Sequence, residues 1–205
     1  MNKVPIYNIS IEEDEFDLGL TKMSLVEYPA VNVPFLKFSE NDIVKETFST
    51  NKDKKIVTSV ALLADTPIKR VDDYGNLYYV VFSKEIIGKL VNKFFKDDLI
   101  KSVNINHFED TDKAYLIESY FVNEELGIKP KGIYSTDGSW IVSYKILDDN
   151  LWNDIKEGKL NGFSVEIQAY LEEFNSINNK FYMLSKAILN EDFKELIKLI
   201  NKKND

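Results

Sequence analysis

The stretch Ser139-Trp140-Ile141-Val142-Ser143-Tyr144-Lys145-Ile146-Leu147 decides the fold class, because its bulkiest apolar residues return at every second position. Trp140, Val142, Tyr144 and Ile146 share one face of an extended chain, whose side chains alternate between faces. A helix would scatter these four around its axis, so the segment reads as a strand over a core.

Neighbouring segments follow the same logic. Downstream, a short helix is expected from about Asp149 to Glu157, with Gly158 in a C-cap position. Gly162 to Leu171 is a further alternating strand. Upstream, Lys101 to His107 and Ala114 to Val122 read as two strands joined by the polar turn Glu109-Asp110-Thr111-Asp112. Ile56 to Leu63 and Leu77 to Phe82 add two more, separated by the turn chemistry of Asp72-Asp73-Tyr74-Gly75-Asn76. Ser83 suits the N-cap of a helix to about Phe95, with Ile86, Ile87, Leu90, Val91, Phe94 and Phe95 on one face. From about Asn190 an amphipathic helix carries Phe193, Leu196, Ile197 and Ile200.

The sum is an α+β chain, mostly antiparallel, for which a β-barrel or strongly curved sheet surrounded by helices is the expected architecture. Three regions are expected along it. Residues 1–55 form an extended lead-in open to processing, 56–175 the β-barrel domain, and 176–205 a C-terminal helical segment. The lead-in carries an acidic cluster, Glu12 to Asp17, and the extended stretch Ser24-Leu25-Val26-Glu27-Tyr28-Pro29-Ala30. Pro29 and Pro34 argue against a central strand there, since proline cannot donate to a ladder.

Composition narrows the chemistry. Of 205 residues, 44% are hydrophobic and 13% aromatic, enough to build a core. A net charge of −8, with lysines interleaved among acids, argues against nucleic-acid binding. The sequence has no cysteine, which removes thiol nucleophiles, disulfides and Cys-type zinc sites. Met1 to Glu12 lacks a signal-peptide layout, and no apolar run nears the roughly 20 residues that cross a bilayer. No phosphate-binding glycine loop and no metal-ligand spacing is present, so no cofactor is expected.

One histidine exists, so any Ser–His chemistry must use His107 as the base. A lone histidine is more often a packing or surface residue. In Gly162-Phe163-Ser164-Val165-Glu166, Phe163, Val165 and Ile167 point one way while Ser164 and Glu166 point the other. Ser164 can then face a cleft with its strand anchored in the core, although an ordinary strand with a polar face reads the same way. For a third residue, a hairpin turning near Thr111 and Asp112 brings Glu118 diagonal to His107. Glu166, Glu172, Glu173 and Asp192 compete with it, and a one-residue slip would remove Glu118 to the far side. A Ser–Lys dyad using Lys145 or Lys159 is the fallback.

The ordered segments resemble the phage serine proteases of the XkdF type, relatives of the prohead proteases. Met23 to Ala30 with Phe35-Leu36-Lys37-Phe38-Ser39 is similar to an N-terminal "SLV-x-x-PA … F-x-x-FS" block. Ala64 to Arg70 with Tyr78 to Ser83 resembles "D-x-PI-x-R … YYVxFS". Val103-Asn104-Ile105-Asn106-His107 is similar to "VN-x-x-H", and Gly162 to Glu166 to "GFS-[IV]-E", preceded by Trp152 and Lys156-Glu157-Gly158. Leu116 to Ser119 and Gly138 to Ser143 also look like family positions. Ile167 stands where many relatives carry glycine.

The resemblance implies a small barrel like that of herpesvirus assemblin, with His107 as base and Ser164 as nucleophile. It implies a capsid-maturation protease in the host cytoplasm, within the procapsid or virion head, acting on the major capsid and scaffold proteins, with self-association or self-cleavage. The chain ends soon after the barrel segments, which leaves a scaffold to a separate polypeptide or a short C-terminal helix. The alternative it leaves is a structural, scaffold-like head protein that kept the fold without the activity.

Overall fold

A computed structural model describes residues 4–11, 18–30, 36–38, 54–72 and 74–173. Twelve strands and two α-helices form among them: β1 (Ile6–Ser10), β2 (Gly19–Val26), β3 (Leu36–Phe38), β4 (Ile56–Leu62), β5 (Ile68–Val71), β6 (Leu77–Val81), α1 (Lys84–Lys96), β7 (Val103–Ile105), β8 (Glu109–Thr111), β9 (Ala114–Phe121), β10 (Trp140–Ile146), α2 (Asp149–Lys156), β11 (Gly162–Gln168) and β12 (Tyr170–Glu173). A 3₁₀ turn, Leu99–Lys101, leads into β7.

The strands make three open four-stranded sheets, ordered β12-β1-β6-β5, β3-β4-β10-β9 and β11-β2-β7-β8. The expected barrel or curved sheet surrounded by helices is therefore corrected. Closure needs one continuous ladder returning to its first strand, and the pairing here divides into three separate sheets. β7 turns straight back onto β8, while β9 leaves that sheet to pair with β10. Two α-helices among the described residues are also too few to encircle the sheets. The C-terminal helix expected from Asn190, and Asp192 with it, lies outside the described residues.

One core unites the sheets. Trp140, Val142, Tyr144 and Ile146 all point into it, as their alternation requires. The opposite face of β10 is also covered, because Ile141 packs in a smaller cluster with Val60, Leu63, Val122 and Ile133. Phe163 of β11 reaches across to Tyr144, with ring centroids 5.2 Å apart, which joins the second and third sheets. Ile87, Leu90, Val91 and Phe94 bury one face of α1, and Phe94 meets Trp140 edge-on at 5.6 Å. Ser83 caps that helix, its hydroxyl accepting from the Ile86 amide at 3.2 Å.

The lead-in supplies three strands, β1, β2 and β3, one to each sheet. β2 lies between β11 and β7, with Met23 and Leu25 fully buried. Pro29 stands three residues beyond its last residue, Val26, and so does not interrupt the ladder. β1 lies between β12 and β6.

Candidate active site

The sheet β11-β2-β7-β8 assembles the site by register. Ser164 of β11 lies opposite Ser24 of β2, and Ser24 lies opposite Asn104 of β7. Opposed residues share a face, so three small polar side chains form a row across three strands. Phe163 and Leu25 face the core from the same strands, which turns this row to the other side. Glu166 follows Ser164 by two residues and joins that face.

His107 enters from the turn after β7. Asn106 and His107 both take left-handed backbone, at φ 51° and 64°. Such conformations are uncommon outside glycine, with Asn and His among the side chains that tolerate them best. The turn is held in place: the Asn106 amide donates to the Leu25 carbonyl at 2.9 Å, and Asn106 Oδ1 accepts from the Glu27 amide at 3.0 Å. The next residue, Phe108, is almost fully exposed. Non-glycine residues held in this region are a recurrent feature of functional turns.

The imidazole meets two groups through one nitrogen. His107 Nδ1 lies 2.9 Å from Ser24 Oγ and 3.1 Å from Glu166 Oε1. The same carboxylate oxygen accepts from Asn104 Nδ2 at 2.5 Å and from the Ser24 hydroxyl at 3.5 Å. His107 Nε2 makes no hydrogen bond among the described residues, and the side chain is 41% exposed. A nitrogen so placed can receive a proton from a group arriving at the surface.

Of the expected site residues, the fold brings His107, Glu166 and Ser164 to one face of one sheet. Ser164 is nearly buried, at 8% exposure, and its hydroxyl makes no hydrogen bond to His107. Glu118 does not join them. It lies opposite Ser143 in β9, where its Oε2 accepts from the Ser143 hydroxyl at 2.7 Å. The hairpin from His107 turns back at β8 rather than at β9, so the register that aimed Glu118 at the imidazole is not formed. Glu172 and Glu173 belong to β12, paired with β1 in a different sheet.

The two fallback lysines are engaged elsewhere. Lys145 donates to the Lys54 carbonyl. Lys159 donates to Asp154 at 2.8 Å, and with Glu157 as second partner these carboxylates hold its ammonium well above the usual lysine range. A lysine held protonated in this way is a poor base.

Sequence reasoning gave no role to Ser24 or Asn104. The signal lay in the alternation of Met23, Ser24 and Leu25, which puts Ser24 on the face opposite the core once the strand is central. Beside the site, a cavity of about 820 Å³ is lined by Lys22, Lys101, Ser102, Asp110, Asp112 and Tyr115 among others. It touches the same sheet through Lys22 and Asp110, which form an ion pair.

No curated protein and no solved structure matches the chain. A family model described as "Putative phage serine protease XkdF" matches residues 43–173, well over half of the sequence, and spans β7, His107, β11, Ser164 and Glu166. The chain belongs to that XkdF family of phage serine proteases.

Proposed function

We propose that this chain is a Ser–His endopeptidase that cuts capsid and scaffold precursor segments within a phage procapsid. Ser164 is its nucleophile, His107 its base and Glu166 the group that orients the imidazole. The observation that carries the reading is the His107 Nδ1 to Glu166 Oε1 contact of 3.1 Å, two residues along the strand from Ser164. A carboxylate at Nδ1 leaves Nε2 for proton transfer, the division of roles that Ser–His catalysis needs.

In the first step Ser164 Oγ bonds to the scissile carbonyl carbon while its proton passes to His107 Nε2. The carbonyl π bond opens to an oxyanion. When it reforms, the C–N bond breaks and the departing amine takes the proton from Nε2. Water then attacks the acyl-enzyme, again giving its proton to Nε2, and the acid product leaves as Ser164 regains its hydrogen. Ser164 and His107 must draw together for the first transfer, and such contacts often tighten only when substrate is bound.

A second reading, a structural head protein without activity, is favoured by one feature. The Ser164 hydroxyl is nearly buried and has no hydrogen bond to the imidazole. Co-expression with the capsid and scaffold proteins of the same genome, followed by intact mass spectrometry, separates the two. Fragments made by the wild type and absent with Ser164→Ala support the protease. Full-length partners in both samples, with shells that still assemble, support the structural protein.

A further inference from the structure

Asn104 is 3% exposed, and its Oδ1 has no hydrogen-bond partner among the described residues, while its Nδ2 donates to Glu166 at 2.5 Å. A buried acceptor left unmade calls for an explanation. Rotating the amide would not cure it, because Oδ1 would then face the carboxylate oxygen. The amide is oriented by that one donor contact. Ser24, fully buried, touches the same two groups, at 2.9 Å from His107 Nδ1 and 3.5 Å from Glu166 Oε1.

We propose that Ser24 and Asn104 are positioning residues that fix neutral His107 as the Nδ1–H tautomer and so keep Nε2 free as the base. The proposal rests on the Ser–His reading above. The hydrogen inventory of the cluster argues for it. An ionised carboxylate can only accept and the Asn104 amino group can only donate. Glu166 Oε1 therefore takes the Asn104 hydrogen and the Ser24 hydroxyl hydrogen. With the Ser24 proton committed there, its oxygen is free to accept, and the nitrogen 2.9 Å away supplies the hydrogen. Nδ1–H then points at Ser24 Oγ and at Glu166 Oε1, 3.1 Å away. In the other tautomer a bare Nδ1 lone pair would face the carboxylate oxygen, and Nε2 would carry the proton it has to receive.

His107 is the only histidine in the sequence, so the imidazole signals of the full chain, with no tag histidines, come from one residue. The test is the ¹⁵N spectrum of histidine-labelled protein at about pH 8.5, above the ordinary imidazole range. The wild type is expected to show Nδ1 protonated and Nε2 bare. Ser24→Ala, which deletes a single oxygen, and Asn104→Leu should each move the population toward Nε2–H, the form free imidazole prefers. Ser24→Thr keeps a hydroxyl and should restore Nδ1–H. On a cleavable precursor, Ser24→Ala should lower kcat on the order of 10–100-fold, the range seen when outer partners of a ligating His are removed, with KM little changed. Wild-type protein in the Nε2–H form would overturn the proposal, and so would variants whose tautomer does not move. The wild-type spectrum needs neither a variant nor activity. If the chain cleaves nothing yet holds Nδ1–H, the protease reading falls and the positioning role stands.

Discussion

Glu166, rather than Glu118, is the carboxylate that the fold sets beside His107. It shares its strand with Ser164 and its Oε1 faces His107 Nδ1 at 3.1 Å, while Glu118 is tied to Ser143 in another sheet. Glu166→Gln should therefore lower kcat by about 10²-fold, toward what loss of general-base help costs. Glu118→Gln should leave turnover within about twofold, since its partner is a hydroxyl remote from the chemistry. Steady-state cleavage of a capsid precursor peptide checks both, and a reversed order would return the third position to Glu118. At this scale the sequence was informative about types and weak about partners. A single histidine and an alternating Gly162-Phe163-Ser164-Val165-Glu166 pick out the imidazole and the polar face that the fold brings together. Which acid meets the imidazole depends on where one hairpin turns, between Ile105 and Glu109 rather than near Thr111 and Asp112.

Among the elements, β2 carries the largest lesson. Its sequence, Gly19-Leu20-Thr21-Lys22-Met23-Ser24-Leu25-Val26, looks like a lead-in because prolines follow it, yet it forms an inner strand of the sheet that carries Ser164. The prolines lie past its end, and a strand needs donors only within its own ladder. Leu25 is fully buried against the core, so Leu25→Ala should destabilise the chain by about 2–5 kcal/mol, the ordinary cost of a large-to-small change in a packed interior. Urea unfolding measures it, and a loss near zero would mean that β2 is peripheral. Helix α1 was legible because its apolar residues keep one face and Ser83 caps it. Strand β10 was legible because its alternation is long. Strand β7 falls inside the strand expected from Lys101 to His107, whereas β8 was not legible, because its polar Glu109-Asp110-Thr111 reads as turn and so short a ladder has almost no periodic signal.

For the molecule as a whole, helices α1 and α2 and most of the long strands follow from local pattern, whereas the way the strands are joined into sheets does not. Alternation fixes which face of a strand is buried but leaves its neighbours unspecified, so three open sheets and one barrel are written in the same local code. The open arrangement has a functional consequence. Both outer strands of the sheet β11-β2-β7-β8 keep a free edge among the described residues, and β11 is the strand that carries Ser164. An extended substrate segment can pair with such an edge. The family match covers the chemistry-bearing strands, while β2, which lies before it, supplies Ser24 to the same cluster. In the proposed mechanism one hydroxyl, that of Ser164, becomes nucleophilic through His107. The most direct measurement is reaction of the full chain with a fluorophosphonate, followed by peptide mass mapping. One adduct is expected, on the peptide carrying Ser164, and it should be lost in His107→Ala. An adduct on Ser24 instead, or precursor cleavage that persists in Ser164→Ala, would contradict it.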